Sequence, residues 1–181
     1  MTSVVVADRP AMHALGERLA SVLEAGDLVV LTGDLGAGKT TLTQGIGRGL
    51  RVRGDITSPT FVIARVHPST VGGPALVHVD AYRLGSVVEV DDLDLDAALE
   101  DSVTVVEWGE GKVDDLAEDR LLVSVVRPRG DAVPPVPAGV PDDDASDEDD
   151  GTAEPRTVTL AGVGERWSGV DLDALLGAVA R

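Results

Sequence analysis

Apolar residues Met12, Leu15, Leu19, Val22 and Leu23 recur at helical spacing, with Asp8 placed as a cap, Pro10 in the first turn and Gly26 as a stop. This spacing predicts a first helix. Leu28 to Thr32 is a short continuous apolar run between Asp27 and Gly33, the pattern of a strand buried on both faces. A second helix is expected from Lys39 to Leu50. Phe61 to Val66 and Ala75 to Asp80 read as strands of an antiparallel hairpin joined by a Pro- and Gly-rich stretch, His67 to Pro74. An acidic stretch, Glu89 to Asp101, follows, with Leu93, Leu95 and Leu99 as its apolar contacts. Further strands are expected at Val103 to Glu107, Leu121 to Val126 and Thr157 to Ala161, and a closing helix at Asp171 to Ala180. Strands alternating with helices, plus one hairpin, predict a three-layer α/β domain with a mixed, mainly parallel sheet.

Charge interrupts this pattern once. Residues 127–156 hold nine acids against three arginines, five prolines before Glu154 and no large aliphatic residue except valine. Such a stretch cannot bury enough surface to offset its ordering entropy, so we expect a disordered acidic insert within one domain spanning 1–181. The chain carries a net charge of −17, and the remainder without the insert still carries −11. With only two lysines, Lys39 and Lys112, it is poorly suited to grip a nucleic-acid backbone directly. There is no cysteine, which excludes a disulfide scaffold, a zinc ribbon and thiol catalysis. No apolar run approaches the roughly 20 residues that cross a bilayer, and the N-terminus lacks the features of a secretory signal. A cytoplasmic protein without membrane contact is expected.

The strongest chemical signal is Gly33-Asp34-Leu35-Gly36-Ala37-Gly38-Lys39-Thr40, which matches G-x-x-x-x-G-K-[S/T] between a predicted strand and a predicted helix. A random chain of this composition would carry the pattern about 0.003 times, so accident is a poor explanation. Glycines let the backbone curl until N–H groups up to Thr41 face an anion, helped by the positive end of the following helix. Lys39 then reaches the β- and γ-phosphates, and the Thr40 hydroxyl can ligate Mg²⁺. A dinucleotide fingerprint would need glycine at position 41, which holds Thr41. Gly45, Gly47 and Gly49 fall inside the second helix, where close packing on the sheet is the expected reason for them.

Two strand ends supply carboxylates. Ala75-Leu-Val-His-Val-Asp80 places an acid after an apolar run, the Walker B arrangement, and Val103-Thr-Val-Val-Glu107 does the same on another strand. His78 reads as a packed core histidine. The chain contains no asparagine, so the N-K-x-D guanine signature is absent, ATP is favoured over GTP, and Gly111-Lys112-Val113-Asp114 reads as a solvated surface segment.

Four blocks together resemble the TsaE (YjeE) family, the bacterial P-loop ATPases of tRNA threonylcarbamoyladenosine biosynthesis. These are Gly33 to Thr41 with Gln44 to Leu50, then Thr57-Ser-Pro-Thr-Phe61, then His78-Val-Asp-Ala-Tyr-Arg-Leu84, and Val105-Val-Glu-Trp-Gly-Glu110. The resemblance covers roughly residues 8 to 126 and departs from the family at Gly109, where proline is frequent. It implies a P-loop NTPase fold, with ATP and Mg²⁺ held by Gly33 to Thr41 and by Trp108. Thr40, Asp80 and Glu107 would serve the metal, Glu107 would act near the hydrolytic water, and Thr60 would sense the γ-phosphate. It further implies an ATPase, slow without its partners, that acts with the TsaB and TsaD proteins and meets tRNA only indirectly. A kinase using a small acceptor, or a nucleotide-gated binding protein, stays open beside this reading.

Overall fold

A computed structural model describes residues 1–60, 62–83, 100–113, 116–127 and 154–177. Its centre is a seven-stranded sheet in the order β1-β7-β6-β2-β5-β4-β3. The strands are β1 (Thr2–Val6), β2 (Leu28–Thr32), β3 (Ala64–His67), β4 (Ala75–Asp80), β5 (Ser102–Glu107), β6 (Arg120–Val126) and β7 (Arg156–Val163). The four central strands, β6, β2, β5 and β4, run parallel, whereas β3 and the β7–β1 pair join antiparallel at the two flanks. The sheet is therefore mixed, with its parallel part confined to the centre.

The burial pattern explains why β2 reads as uninterrupted apolar sequence. Val29 and Leu31 enter the larger core with Val103, Val105, Leu121 and Val123, while Leu28 and Val30 enter a second core on the opposite face with Val77, Val79 and Val106. Alternate residues of a strand point to opposite faces, so only a strand covered on both sides needs apolar residues at every position. Each buried leucine or valine contributes about 1.5–3 kcal/mol of transfer free energy.

Helices α1 (Arg9–Ala20), α2 (Lys39–Gly49) and α3 (Leu172–Gly177) all bury side chains in the larger core. Among the described residues the other face is covered by Ile63, Val113 and Leu116 and by Ala81, which opens a single 3-10 turn (Ala81–Arg83), and by no α-helix. The acidic stretch falls mostly at 89–99, outside the described residues. None of the described helices is long and apolar enough to cross a membrane.

Sequence boundaries hold with local exceptions. Asp8 caps α1 by accepting from the Ala11 N–H at 2.8 Å, but α1 ends at Ala20, where Ser21 turns its hydroxyl onto the Arg18 carbonyl. The β3–β4 hairpin starts at Ala64 because Ile63, with φ of 68°, donates to the Pro59 carbonyl and closes a turn first. Phe61 lies outside the described residues. Strand β1 is not foreseen by the sequence reading: with only Val4 and Val6 buried, it is a short edge strand added to β7.

A second correction concerns the glycines of α2. Gly45 and Gly49 face α1, not the sheet: a Cβ at Gly45 would strike His13 and one at Gly49 would strike Ala20 and Glu17. Gly47 faces Ile56 and Leu76. From α1, Gly16 completes this close helix crossing. The acidic insert occupies the connection between β6 and β7 and, at 128–153, lies outside the described residues; beside it Arg127 and Glu154 pair at 2.6 Å.

Candidate nucleotide site

The parallel strands bring one loop and two acids to their shared carboxyl edge. The β2–α2 turn is built by glycine where other residues would fail: a Cβ on Gly33 would overlap the Val125 carbonyl, and Gly38, at φ 108°, is the N-cap of α2. Among the described residues no side chain caps this helix. Helix geometry leaves its opening N–H groups, including those of Thr40 and Thr41, without intrahelical acceptors, and its dipole adds positive potential there. The Leu35 side chain is 81% exposed, so at Leu35 only the backbone can serve a ligand in the loop.

Lys39 opens α2 and folds back over the loop. Its Nζ donates to the carbonyls of Gly33 at 2.9 Å and Asp34 at 3.0 Å, and sits 3.9 Å from the centre of the Trp108 ring. Burial lowers the Lys39 pKa, opposed by the carboxylates of Glu107, Asp80 and Asp34. Trp108 reaches this place through a left-handed backbone, φ 61°, which costs about 1–2 kcal/mol in a non-glycine residue. Its N–H donates to the Leu31 carbonyl at 3.0 Å, so the turn off β5 is tied to the end of β2.

Asp80 and Glu107 are register partners on adjacent parallel strands, both almost fully buried. Glu107 Oε1 accepts from the Thr40 hydroxyl at 2.8 Å and lies 2.8 Å from His78 Nε2. Asp80 Oδ2 accepts from the Thr60 hydroxyl at 2.6 Å and from Ser58 Oγ at 3.2 Å, while Oδ1 accepts from the Tyr82 N–H at 2.9 Å. Lys39, Thr40, Thr60, Asp80, Glu107 and Trp108 thus gather at one sheet edge as a network in three parts, Lys39 with Trp108, Thr40 with Glu107, and Thr60 with Asp80. A cleft of about 500 Å³ opens beside it, lined by Thr32, Gly33, Asp34, Tyr82, Trp108, Glu110 and Lys112.

Several functional contacts escaped the sequence reading. His78 is fully buried, as expected of a core residue, yet its partner is the candidate water-positioning acid. The available signal was its i, i+2 spacing from Asp80, which puts both on one strand face. Tyr82 packs against Trp108 with ring centres 5.2 Å apart. The Gly111–Val113 segment is not solvated throughout, because Val113 is buried in the second core and Lys112 Nζ donates to the Ala81 carbonyl at 2.6 Å. Asp114 lies outside the described residues.

A family model described as threonylcarbamoyl adenosine biosynthesis protein TsaE matches residues 6–131. The chain belongs to the TsaE family. It is similar to the tRNA threonylcarbamoyladenosine biosynthesis protein TsaE of Streptomyces coelicolor, 56% identical over 167 residues that cover 92% of this chain and all of the relative. TsaE of Mycobacterium tuberculosis H37Rv is 54% identical over 120 residues, covering 62% of this chain and 71% of the relative. Among solved structures, Bacillus subtilis YdiB superposes with a TM-score of 0.64 at 23% identity, covering 99% of this chain and 94% of that one, which shows the fold. The matched span of the family contains every residue of the network.

Proposed function

We propose that this TsaE-family chain is the ATP-hydrolysing subunit of tRNA threonylcarbamoyladenosine biosynthesis, working in the cytoplasm on the TsaB–TsaD complex and meeting tRNA only through it. The pathway follows from the relatives that share the family. The observation that carries the chemistry is the linked set Lys39–Thr40–Glu107, in which a loop cation, a hydroxyl and a buried carboxylate converge above the start of α2.

The residues suit MgATP. Backbone N–H groups between Gly33 and Thr41, those of Gly36 and Gly38 among them, offer donors to a polyphosphate, with Lys39 as the local positive charge, while the Ala37 N–H donates to the Asp34 carbonyl at 3.1 Å. Thr40 Oγ1, Asp80 and Glu107 are hard oxygen donors at one edge, the chemistry that Mg²⁺ prefers. Thr40, Asp80 and Glu107 would hold Mg²⁺, which would supply positive charge to offset that of the phosphates. The protein's own part is positional. Lys39 exchanges two backbone carbonyls for phosphate oxygens, Glu107 orients water for in-line attack, and Thr60, tied to Asp80, links the terminal phosphate to the 57–60 loop. By its resemblance to the family, turnover by the isolated chain is expected to be slow, with a partner completing the site.

The test measures phosphate release from ATP by the chain alone, with the TsaB and TsaD proteins, and by Lys39→Ala. Release without any acceptor, stimulated by the partners and lost in K39A, supports the reading. Release that requires an acceptor, or a K39A variant with wild-type turnover, overturns it.

A further inference from the structure

Strands β4 and β5 run parallel, with His78 opposite Val105 and Asp80 opposite Glu107. His78 is fully buried beneath the site. Its Nε2 stands 2.8 Å from Glu107 Oε1, the same oxygen that accepts the Thr40 hydroxyl at 2.8 Å. Its other ring nitrogen, Nδ1, is buried without a hydrogen-bond partner among the described residues. An ionised carboxylate only accepts, so the imidazole presents an N–H at Nε2.

The terminal torsion of a glutamate is broad, so a carboxylate without donors samples many orientations. Two donors on Oε1, one from α2 and one from β4, remove that freedom and leave Oε2 outside both bonds. We infer that His78 is a positioning residue for hydrolysis, its Nε2–H and the Thr40 hydroxyl together fixing Glu107 so that Oε2 is the oxygen presented to water. This rests on the ATPase reading above. Thr40 carries its hydroxyl on the phosphate-binding helix, whereas His78 belongs to the sheet, so His78 supplies the anchor that stays in place when groups on the loop side rearrange.

The experiment compares wild type with His78→Leu, His78→Gln and His78→Asn. A glutamine amide nitrogen reaches the position of Nε2, an asparagine amide stops near Nδ1, and leucine fills the space without a donor. Steady-state ATP hydrolysis gives kcat and KM, and calorimetry gives ATP affinity without magnesium. H78L and H78N are expected to lose about 10–100-fold in kcat, as removal of a supporting partner does in other sites, with KM and metal-free ATP affinity within about threefold of wild type. H78Q is expected to recover kcat to within about threefold. In a Glu107→Gln background, H78L should add nothing further, because the group it positions has been replaced.

If H78L proves unstable, H78Q against H78N decides, since both keep a polar amide and differ in reach. H78N turning over like H78Q, or a loss in H78L that reappears in full on top of E107Q, overturns the positioning role while leaving the ATPase reading intact. A well-folded wild type that releases no phosphate with or without partners overturns both.

Discussion

Replacing Gly16 by alanine probes the joint that holds the phosphate loop in place. A Cβ at this position would stand 2.5 Å from the Leu42 carbonyl oxygen, 2.7 Å from Gly45 Cα and 2.7 Å from the Ile46 nitrogen. All three are backbone atoms of α2, so no side chain can rotate aside. Ordinary contacts begin near 3.4 Å, and the helices must separate by about 1 Å. Alanine gains about 1 kcal/mol of helix propensity over glycine, whereas overpacking costs about 1–3 kcal/mol. Adding the loss of neighbouring α1–α2 packing leaves a net destabilisation of about 1–2 kcal/mol. For a chain of this size each kcal/mol lowers Tm by about 2–4 °C, giving a drop of about 2–8 °C. Because Lys39 and Thr40 stand in the first turn of the displaced helix, a shift near 1 Å also predicts a loss of hydrolysis approaching 100-fold. Gly177→Ala is the control, since a Cβ there meets nothing within 4 Å. Thermal unfolding by circular dichroism and a phosphate-release assay read both effects. A G16A variant as stable and as active as wild type would refute the claim that this crossing positions the loop.

Other residues make independent predictions. Trp108→Leu removes the ring beneath the Lys39 ammonium, a contact worth about 0.5–2 kcal/mol, so calorimetry should record MgATP affinity about 3–30-fold weaker. Thr60→Val deletes the 2.6 Å bond to Asp80 but leaves Ser58 and the Tyr82 N–H on that carboxylate; amide exchange across 57–60 should accelerate and hydrolysis fall at least about tenfold, while unchanged exchange would separate Thr60 from Asp80. Asp27 accepts from Arg166 at 3.0 Å and from the Glu24 N–H at 2.8 Å, yet burial raises its carboxyl pKa despite both partners. A raised folded-state value means that the folded chain holds this proton more tightly, so the contribution is present below the unfolded pKa and lost as pH rises through the folded one. Denaturant titrations should therefore show wild type losing stability relative to Asp27→Asn across that window, and the opposite slope would contradict the assignment.

What the sequence made legible was whatever a local pattern encodes. The apolar run of β2 announces a strand covered on both faces, and G-x-x-x-x-G-K-T marks a glycine-built turn from that strand into α2, because contiguous backbone encodes it. Asp80 and Glu107 were legible as strand ends, and the sheet confirms them as register partners. Their hydrogen-bond partners were not legible, because Thr60 to Asp80 and Thr40 to Glu107 bridge separations that only the sheet order closes. Gly45 and Gly49 show the same limit: their close packing was foreseen, but the partner turned out to be α1, since helix-face identity depends on where the neighbouring helix crosses. Strand β1 was missed because only its alternate valines are buried, too short a signal to outweigh its terminal position.

The central claim is that the loop from Gly33 to Thr41 grips the phosphates of MgATP through Lys39. Isothermal titration of MgATP into the full chain and into Lys39→Ala tests it most directly. A saturable isotherm for wild type, with affinity at least about 100-fold weaker in a K39A variant of unchanged Tm, is the predicted result. No heat from folded wild type, or equal affinity in both proteins, would contradict it.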